Sequence, residues 1–591
     1  MSFGPHTPLA DLMAEKEAAA VLERHLPGIL DMLDFAVLPF IPLGAMLGHN
    51  PPLGQSLADL GALWKDLAGV VPTNSHARIA LQEAPHEPGA DYESVQVPRA
   101  SAKVAEATGA EKWGVAEVVL QGPSHGNPFI DVELDAVFRR AGSQDVRVGG
   151  FYDGEGTYRL RFQPPETGTW TFETRCNARS LDGLTGSLEA AAVSAGNRGQ
   201  VAVDDTYHFA YQDGTRYLPL GTTAYAWTHQ TPELQTATLR TLEESPFTKV
   251  RMCVFPKSYF FNTEEPALFP YVRNGDGSFD FSRFDVAFFQ HLDRCVEQLG
   301  AIGVEADVIL FHCYDRWGFS AMPAWADDLY TKYVVRRLAA HRNVWWALAN
   351  EYDFLPHKTA DDWERIASVF GADDHAGHLT SIHNGVQFFD HTRPWITHCS
   401  IQRVDTYRTA ENTLEWREAY GKPVVIDECG YEGDIDLGWG NLSARELVRR
   451  CWEGAIRGGY VNHGETYCNE RDILWWSKGG ALHGESAERF GFLARITSEV
   501  PSGRIEPLPS SWDVVCGGDS DHQIIYFGFS CPAFRWIQLP PNTQWDVDLV
   551  DTWSMTVETQ MQAAQGRTKV DLPGREYMAV RLRRVLGDAD S

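Results

Sequence analysis

No two of the ten cysteines are closely spaced; they stand at 176, 253, 295, 313, 399, 429, 451, 468, 516 and 531. This excludes a Cys-x-x-Cys redox pair and a cysteine-framed zinc site. Several lie inside apolar runs such as VRMCVF and VILFHC, where cysteine behaves as a small buried hydrophobe, so they read as reduced thiols. Basic residues are also scarce: 51 Lys and Arg face 80 Asp and Glu, a formal charge of −29. A chain with this balance repels a phosphate backbone and an anionic bilayer surface, so neither nucleic acid nor membrane is an expected partner. Long hydrophobic runs are lacking too. The most apolar early stretch, ILDMLDFAVLPFIPLGAML at 29–47, is interrupted by Asp31, Asp34, Pro39 and Pro42 and suits a buried helical hairpin rather than a span of about 20 apolar residues. The opening MSFGPHTPLADLMAEKEAAA has no basic region followed by an apolar core and a small-residue cleavage site. The expected location is therefore the cytoplasm.

What is present is ordinary globular material, with 43% apolar and 22% charged residues, so neither wholesale disorder nor a fibrous repeat fits. At roughly 150 residues per domain, 591 residues imply three or four units. Residues 1–78 carry Leu, Ala and Met at helical spacing, broken by Pro-Gly at 27–28 and Pro-Pro at 51–52, and predict a small helical module for docking or oligomerisation. Residues 79–198 change to short alternating runs (AEVVLQG, DVELDAVF, YRLRFQ, TWTFETRC) divided by Gly, Pro and Asp turns, the pattern of an antiparallel sandwich. Residues 503–591 return to alternation and predict a second β-sandwich leaning on its neighbour. A homo-oligomer through the helical module or the sandwiches is a further expectation.

Between them, residues 199–502 alternate helical patterns with eight strand-like runs: 217–225, 248–255, 305–312, 344–351, 378–384, 395–401, 423–429 and 459–467. Near-continuous apolar runs suit strands covered on both faces, and eight of them in about 300 residues predict an α/β fold of the (β/α)8 TIM-barrel type. Helix starts are legible at Thr231-Pro232 and in the capping box Ser443-Ala-Arg-Glu446. In such a fold the chemistry gathers where strands end. Those ends are rich in polar groups: Thr222, Thr223 and Tyr225; Arg251; His312, Tyr314 and Asp315; Asn350, Glu351 and Asp353; His383 and Asn384; His398 and Gln402; Asp427 and Glu428; His463, Glu465 and Tyr467.

Two glutamates, each placed immediately after a buried run on strands that face each other, supply the acid and the nucleophile or base that cleaving a glycosidic bond requires. Asp427 and Asp353 are rival carboxylates; in a regular strand Asp427 points away from Glu428. The aromatic residues Trp227, Trp317, Trp439, Trp475 and Trp476 fall just beyond strand ends and are candidates for stacking on sugar rings, with loop packing as the alternative. Histidines 312, 383, 398 and 463 show no metal-ligand spacing, so no metal or other cofactor is expected.

The segments WWALANEYDF and KPVVIDECGYEG resemble the strand-4 and strand-7 motifs of clan A glycoside hydrolases, which are retaining barrel enzymes. GTYRLRFQPPETGTWTFETRCN likewise resembles the immunoglobulin-like domain that precedes the barrel in many bacterial glycosidases. The resemblance spans about 200–500 and implies Glu351 as acid/base, Glu428 as nucleophile, Asn350 on the sugar 2-hydroxyl, Arg251 holding the nucleophile ionised, and His398 as a nucleophile-side partner. His312, Asp315, His383, Asn384 and Glu465 join the tryptophans as substrate-binding candidates. Many members carry an aromatic floor after strand 8, whereas this chain offers HGETY there and tryptophan only at 475 and 476. The acidic balance favours a neutral oligosaccharide or glycoside. The expected location and long inserts after strands 2 and 8 favour exo action. An endo-glucanase or mannanase, a transglycosidase and a silent carbohydrate-binding barrel are the alternatives.

Overall fold

The computed structural model describes residues 3–5, 7, 9–27, 43–49, 57–71, 85–355, 357–405, 408–469, 471 and 473–585. Near the N-terminus, helices Leu9–Ala14, Lys16–His25, Leu43–His49 and Leu57–Ala68 bury Leu9, Leu12, Leu22, Leu43, Leu63 and Leu67 against one another. The helical hairpin expected over 29–47 lies largely outside the described residues.

Residues 103–191 form two antiparallel sheets, one of four strands and one of five including a short parallel edge, packed over Val118, Leu120, Phe138, Phe162, Trp170 and Phe172. The inward side chains alternate along Gly168–Cys176, as the period of 2 dictates. The C-terminal region builds a six-stranded antiparallel sheet with a two-stranded companion, Phe534–Gln538 and Arg567–Asp571. It leans on helix Ala444–Ile456, where Trp452 stacks on Tyr526 at 5.6 Å between ring centroids.

The middle of the chain is a mixed α/β unit. Each of the eight expected runs carries a parallel strand: β1 (Gly221–Thr223), β2 (Lys249–Cys253), β3 (Glu305–Phe311), β4 (Val344–Ala349), β5 (Thr380–Ser381), β6 (Cys399–Gln402), β7 (Val424–Glu428) and β8 (Tyr460–Val461). β1 to β5 pair in order, as do β6 to β8. Isolated parallel bridges His383–Ser400 and Thr222–His463 join β5 to β6 and β8 to β1, giving every strand two parallel neighbours. β2, β3, β4 and β7 are buried at every residue, which is why their sequences read as unbroken apolar runs rather than alternation. Helices such as Val286–Ala301, capped by Asp285, and Ala360–Asp373, with a Thr359 capping box, cover the ring.

The sandwich docks on helices Val286–Ala301 and Ala324–Leu338 through buried charge. Arg337 bonds Asp153 at 2.8 Å and Asp293 at 2.8 Å, while Arg161 reaches Asp293 at 2.9 Å. Arg336 pairs with Asp373 at 2.7 Å and donates to the carbonyls of Leu134 and Gly150. Inside the ring, Lys249 is held between Asp307 and Asp427. Each of these cations faces at least one carboxylate, the condition under which buried charge is tolerable.

Candidate active site

At the C-terminal strand ends, Glu351 and Glu428 are nearly closed off from solvent, each 6% exposed. Two hydrogen-bonded chains connect them. In the first, Tyr225 donates to Glu428 and, at 2.9 Å, to Asn350 Oδ1, and Asn350 Nδ2 donates to Glu351 Oε2 at 3.0 Å. In the second, His383 Nε2 lies 3.2 Å from Glu428 Oε1 and 3.2 Å from Gln402 Oε1, and Gln402 Nε2 donates to Glu351 Oε1 at 3.4 Å. Arg251 ties the first chain together, donating to Glu428 at 3.1 Å, to Tyr225 at 3.1 Å and to Asn350 at 3.0 Å. Tyr314 donates to Glu351.

Backbone geometry aims Glu351. It is left-handed, φ 53° and ψ 56°, a conformation that costs a side-chain-bearing residue about 1–2 kcal/mol. The turn is fixed by Tyr352 N donating to His383 O at 2.9 Å and Phe354 N to Glu351 O at 2.9 Å. Strain of this kind persists where the surroundings over-determine it, and it gathers at functional sites.

The surroundings split the two carboxyls electrostatically. Burial, followed by the charge of Glu428, pushes Glu351 up to about 7. Burial opposes ionisation of Glu428 as well, but the hydrogen bond and charge of His383, the Arg251 guanidinium and the Tyr225 hydroxyl outweigh it and hold Glu428 well below the carboxylate range. One carboxyl is therefore kept protonated near neutrality beside one kept ionised, the pattern of an acid and a nucleophile.

Glu351, Glu428, Asn350, Arg251 and His383 come together. Tyr225, Tyr314 and Gln402 join them by hydrogen bonds, whereas His312, Asp315, Asn384, His398, Glu465 and the tryptophan side chains make, among the described residues, none to these five. His398 stands at the opposite end of its strand: β6 begins after it, and its ring packs on Phe209 and Trp345, whereas His383 is the histidine beside Glu428. Asn384 grips the backbone N–H and carbonyl of Gln402, which positions Gln402 rather than a sugar. Asp315 is used up by the N–H groups of Trp317 and Ser320, and Glu465 by those of His483 and Gly484. His312 faces the carbonyl of Phe255 at 3.1 Å, and burial lowers it to about 3. Trp227 and Trp475 are core residues, fully or almost fully buried. Trp317 stacks on Phe319 in a loop, with its N–H turned to Glu265. Trp439 contacts Trp476 at 5.0 Å, and Trp476 in turn packs on Tyr225 at 5.4 Å. The aromatic wall beside the first chain is therefore built by Trp476.

Asp427 corrects a further expectation. A regular strand would turn it away from Glu428, yet Arg251 approaches both, at 3.8 and 3.1 Å. The β6–β7 ladder slips between Ile401 and Gln402, which breaks the alternation at the strand end. Glu432, His463 and Glu465 form, among the described residues, a buried group whose ligand atoms lie within 4.8 Å of one another. The two carboxylates there accept backbone N–H groups of residues 483–486. Lys257 and Tyr259 escaped the sequence reading. They follow Pro256, beyond the apolar run of β2, where no periodic signal marks them.

A buried glutamate pair at the ends of parallel strands, one acidic and one ionised, is the working geometry of a glycoside hydrolase. Comparison with known proteins agrees. Residues 203–512 match the model described as "Apiosidase-like, catalytic domain", residues 109–177 a domain of unknown function (DUF5060) and residues 512–583 another (DUF5605). The chain belongs to the apiosidase-like catalytic family and is a glycoside hydrolase. It is 38% identical to a Bacteroides vulgatus protein provisionally described as a glycoside hydrolase, over 81% of this chain and 100% of that one, with a TM-score of 0.76. A family 5 glycoside hydrolase, also from Bacteroides vulgatus, shares the fold at 15% identity and a TM-score of 0.53, over 66% of this chain and 94% of that one. The search of curated proteins found no match.

Proposed function

We propose that this glycoside hydrolase is a retaining, exo-acting enzyme that releases one neutral sugar from an oligosaccharide or glycoside by double displacement, and that its eight-stranded ring is a (β/α)8 barrel. Glu428 attacks the anomeric carbon while Glu351 protonates the departing oxygen; Glu351 then deprotonates the water that hydrolyses the glycosyl-enzyme. Asn350, held between the two carboxyls, presents its amide to the sugar beside the reacting carbon. The observation that carries this reading is the pair itself: two bridged glutamates driven to opposite protonation states. Their small exposure favours a closed pocket, hence exo action. The family description names apiosidase, which makes a terminal apiosyl residue the first sugar to test. The free state of all ten cysteines supports a reducing, cytoplasmic setting.

The test is a panel of p-nitrophenyl glycosides, including the apioside, with the product anomer followed by proton NMR from the first turnover. Retention of configuration and release of a monosaccharide are expected. Net inversion, or cleavage only within longer chains, would overturn the retaining or the exo assignment respectively.

A further inference from the structure

Lys257 is fully buried, and its ammonium has no hydrogen-bond partner among the described residues. It stands over the rings of Tyr225 at 3.5 Å, Tyr314 at 4.0 Å, Tyr259 at 4.8 Å and Trp476 at 5.1 Å. Two of these residues are the ones that donate to the catalytic pair: Tyr225 to Glu428 and Tyr314 to Glu351. The lysine therefore stands over the two rings whose hydroxyls touch the reacting carboxyls, with all three N–H donors unused. Ring faces attract a cation but accept no strong hydrogen bond, so they stabilise the charge without satisfying the donors. An ammonium buried this way is costly unless something supplies an acceptor, and the groups nearest it are the ones that frame Glu351 and Glu428.

The charge around it indicates the class of acceptor. Arg251, Lys249 and Lys257 face Glu428, Asp427 and Asp307. These six groups cancel one another, three against three, so the lysine's charge does not by itself call for a substrate anion and a hydroxyl suffices as its acceptor.

We infer that Lys257 is a substrate-binding residue whose ammonium donates to a hydroxyl of the sugar held between Glu351 and Glu428. This rests on the proposed reading of the glutamate pair. The same position gives Lys257 a second, electrostatic effect. Glu351 is faced by Glu428, Lys257, Tyr314 and Asp353; of these the charge of the lysine and the hydrogen bond from Tyr314 draw its proton affinity down, and the two carboxylates raise it. Lys257 itself is faced by Cys253, Glu351, Glu428 and Cys313.

The experiment compares the native chain with Lys257→Met and Lys257→Arg on the p-nitrophenyl glycoside that the native enzyme turns over fastest, and on its mono-deoxy analogues. Lys257→Met is expected to lose roughly 10- to 100-fold in kcat/KM, the worth of a hydrogen bond to a charged group. One deoxy analogue should lose a similar factor with the native enzyme and almost none with Lys257→Met. The alkaline limb of kcat/KM should move to higher pH in Lys257→Met and stay in place in Lys257→Arg, a signature that a packing role would not produce. Lys257→Met within twofold of native, or every deoxy analogue penalised equally in both proteins, would overturn the inference. Were Lys257→Met to misfold, Lys257→Arg with native thermal unfolding carries the test: unchanged discrimination among the deoxy analogues would overturn it. Failure of the glutamate reading shows separately, as an unimpaired Glu428→Ala.

Discussion

Arg337 and Lys257 are both sealed from solvent, but their surroundings differ. Where the sandwich meets the helices, Arg337 is clasped by Asp153 and Asp293, and Asp293 is held below the ordinary carboxylate range by Arg161 and Arg337 in spite of its burial. At the strand ends Lys257 has ring faces around it and no acceptor, and its neighbour Glu351 is pushed up rather than down. Cations and anions cancel within the first region, which makes it architecture. In the second, a donor, a proton and a strained backbone are all left unresolved, and a substrate is what resolves them.

The largest expected effect is at the nucleophile. Glu428→Ala should lose roughly ten-thousandfold in kcat on every substrate of an aryl glycoside panel, because no other group is placed to attack the anomeric carbon. Arg251 keeps Asp427 as a partner in that variant, so the loss of turnover should far outweigh any loss of unfolding stability. The opposite profile belongs to the interface. Arg337→Met leaves Asp153 and Asp293 buried with fewer partners and should destabilise the chain by about 3–5 kcal/mol in urea unfolding, while the protein that remains folded keeps its kcat. If Arg337→Met lowered kcat without changing stability, the two regions would not differ as described.

The acid/base comes next. Glu351→Ala should lose about a hundredfold to ten-thousandfold on glycosides with poor leaving groups. It should lose far less on p-nitrophenyl glycosides, whose leaving group departs unprotonated, and azide should restore turnover by replacing water in the second step. Equal loss on both substrate classes would remove the assignment. In the native enzyme kcat/KM should fall as pH rises through about 7, because Glu351 must carry its proton to act as the acid. An acidic limb appears only where Glu428 takes up a proton, below the ordinary carboxylate range.

Much of this was legible in the sequence, for reasons the structure makes explicit. β2, β3, β4 and β7 are buried on both faces and read as unbroken apolar runs, and the residues that close them must be polar and functional or be hidden. Glu351, Asn350 and Glu428 are found that way. The strand signal fails where strands are short. β6 is four residues long and starts only at the fifth residue of the run 395–401, ending one residue beyond it, so His398 looked like a strand end and proved to be an entrance. Tryptophan after a strand carries no mark of where its ring goes: Trp475 turns inward to Thr222, and the adjacent Trp476 lines the site. Asp315 and Glu465 are polar at strand ends because loop N–H groups need acceptors there, a demand that looks in sequence the same as a demand from substrate.

The smallest effect tests the contrast from the side of stability. Removing Arg337 takes a partner from two buried anions and leaves Asp153 to Arg159 and Asp293 to Arg161, whereas removing Lys257 takes a hydrogen-bond partner from none among the described residues. Lys257→Met should therefore be neutral or stabilising by about 1 kcal/mol at pH 7, the opposite sign to Arg337→Met, through relief of desolvation. The pH dependence fixes the cause. Burial lowers the lysine below its ordinary 10.5, so the unfolded chain binds this proton more tightly than the folded one. The native chain then carries the full penalty at pH values below the depressed folded pKa and loses it as pH rises toward 10.5, where both states are neutral. The stability gap between Lys257→Met and native should accordingly narrow with rising pH in parallel urea titrations. A gap of constant size would assign it to the methionine's packing. A clearly destabilised Lys257→Met at neutral pH would mean that the ammonium is already satisfied in the free enzyme, and the contrast with Arg337 would no longer hold.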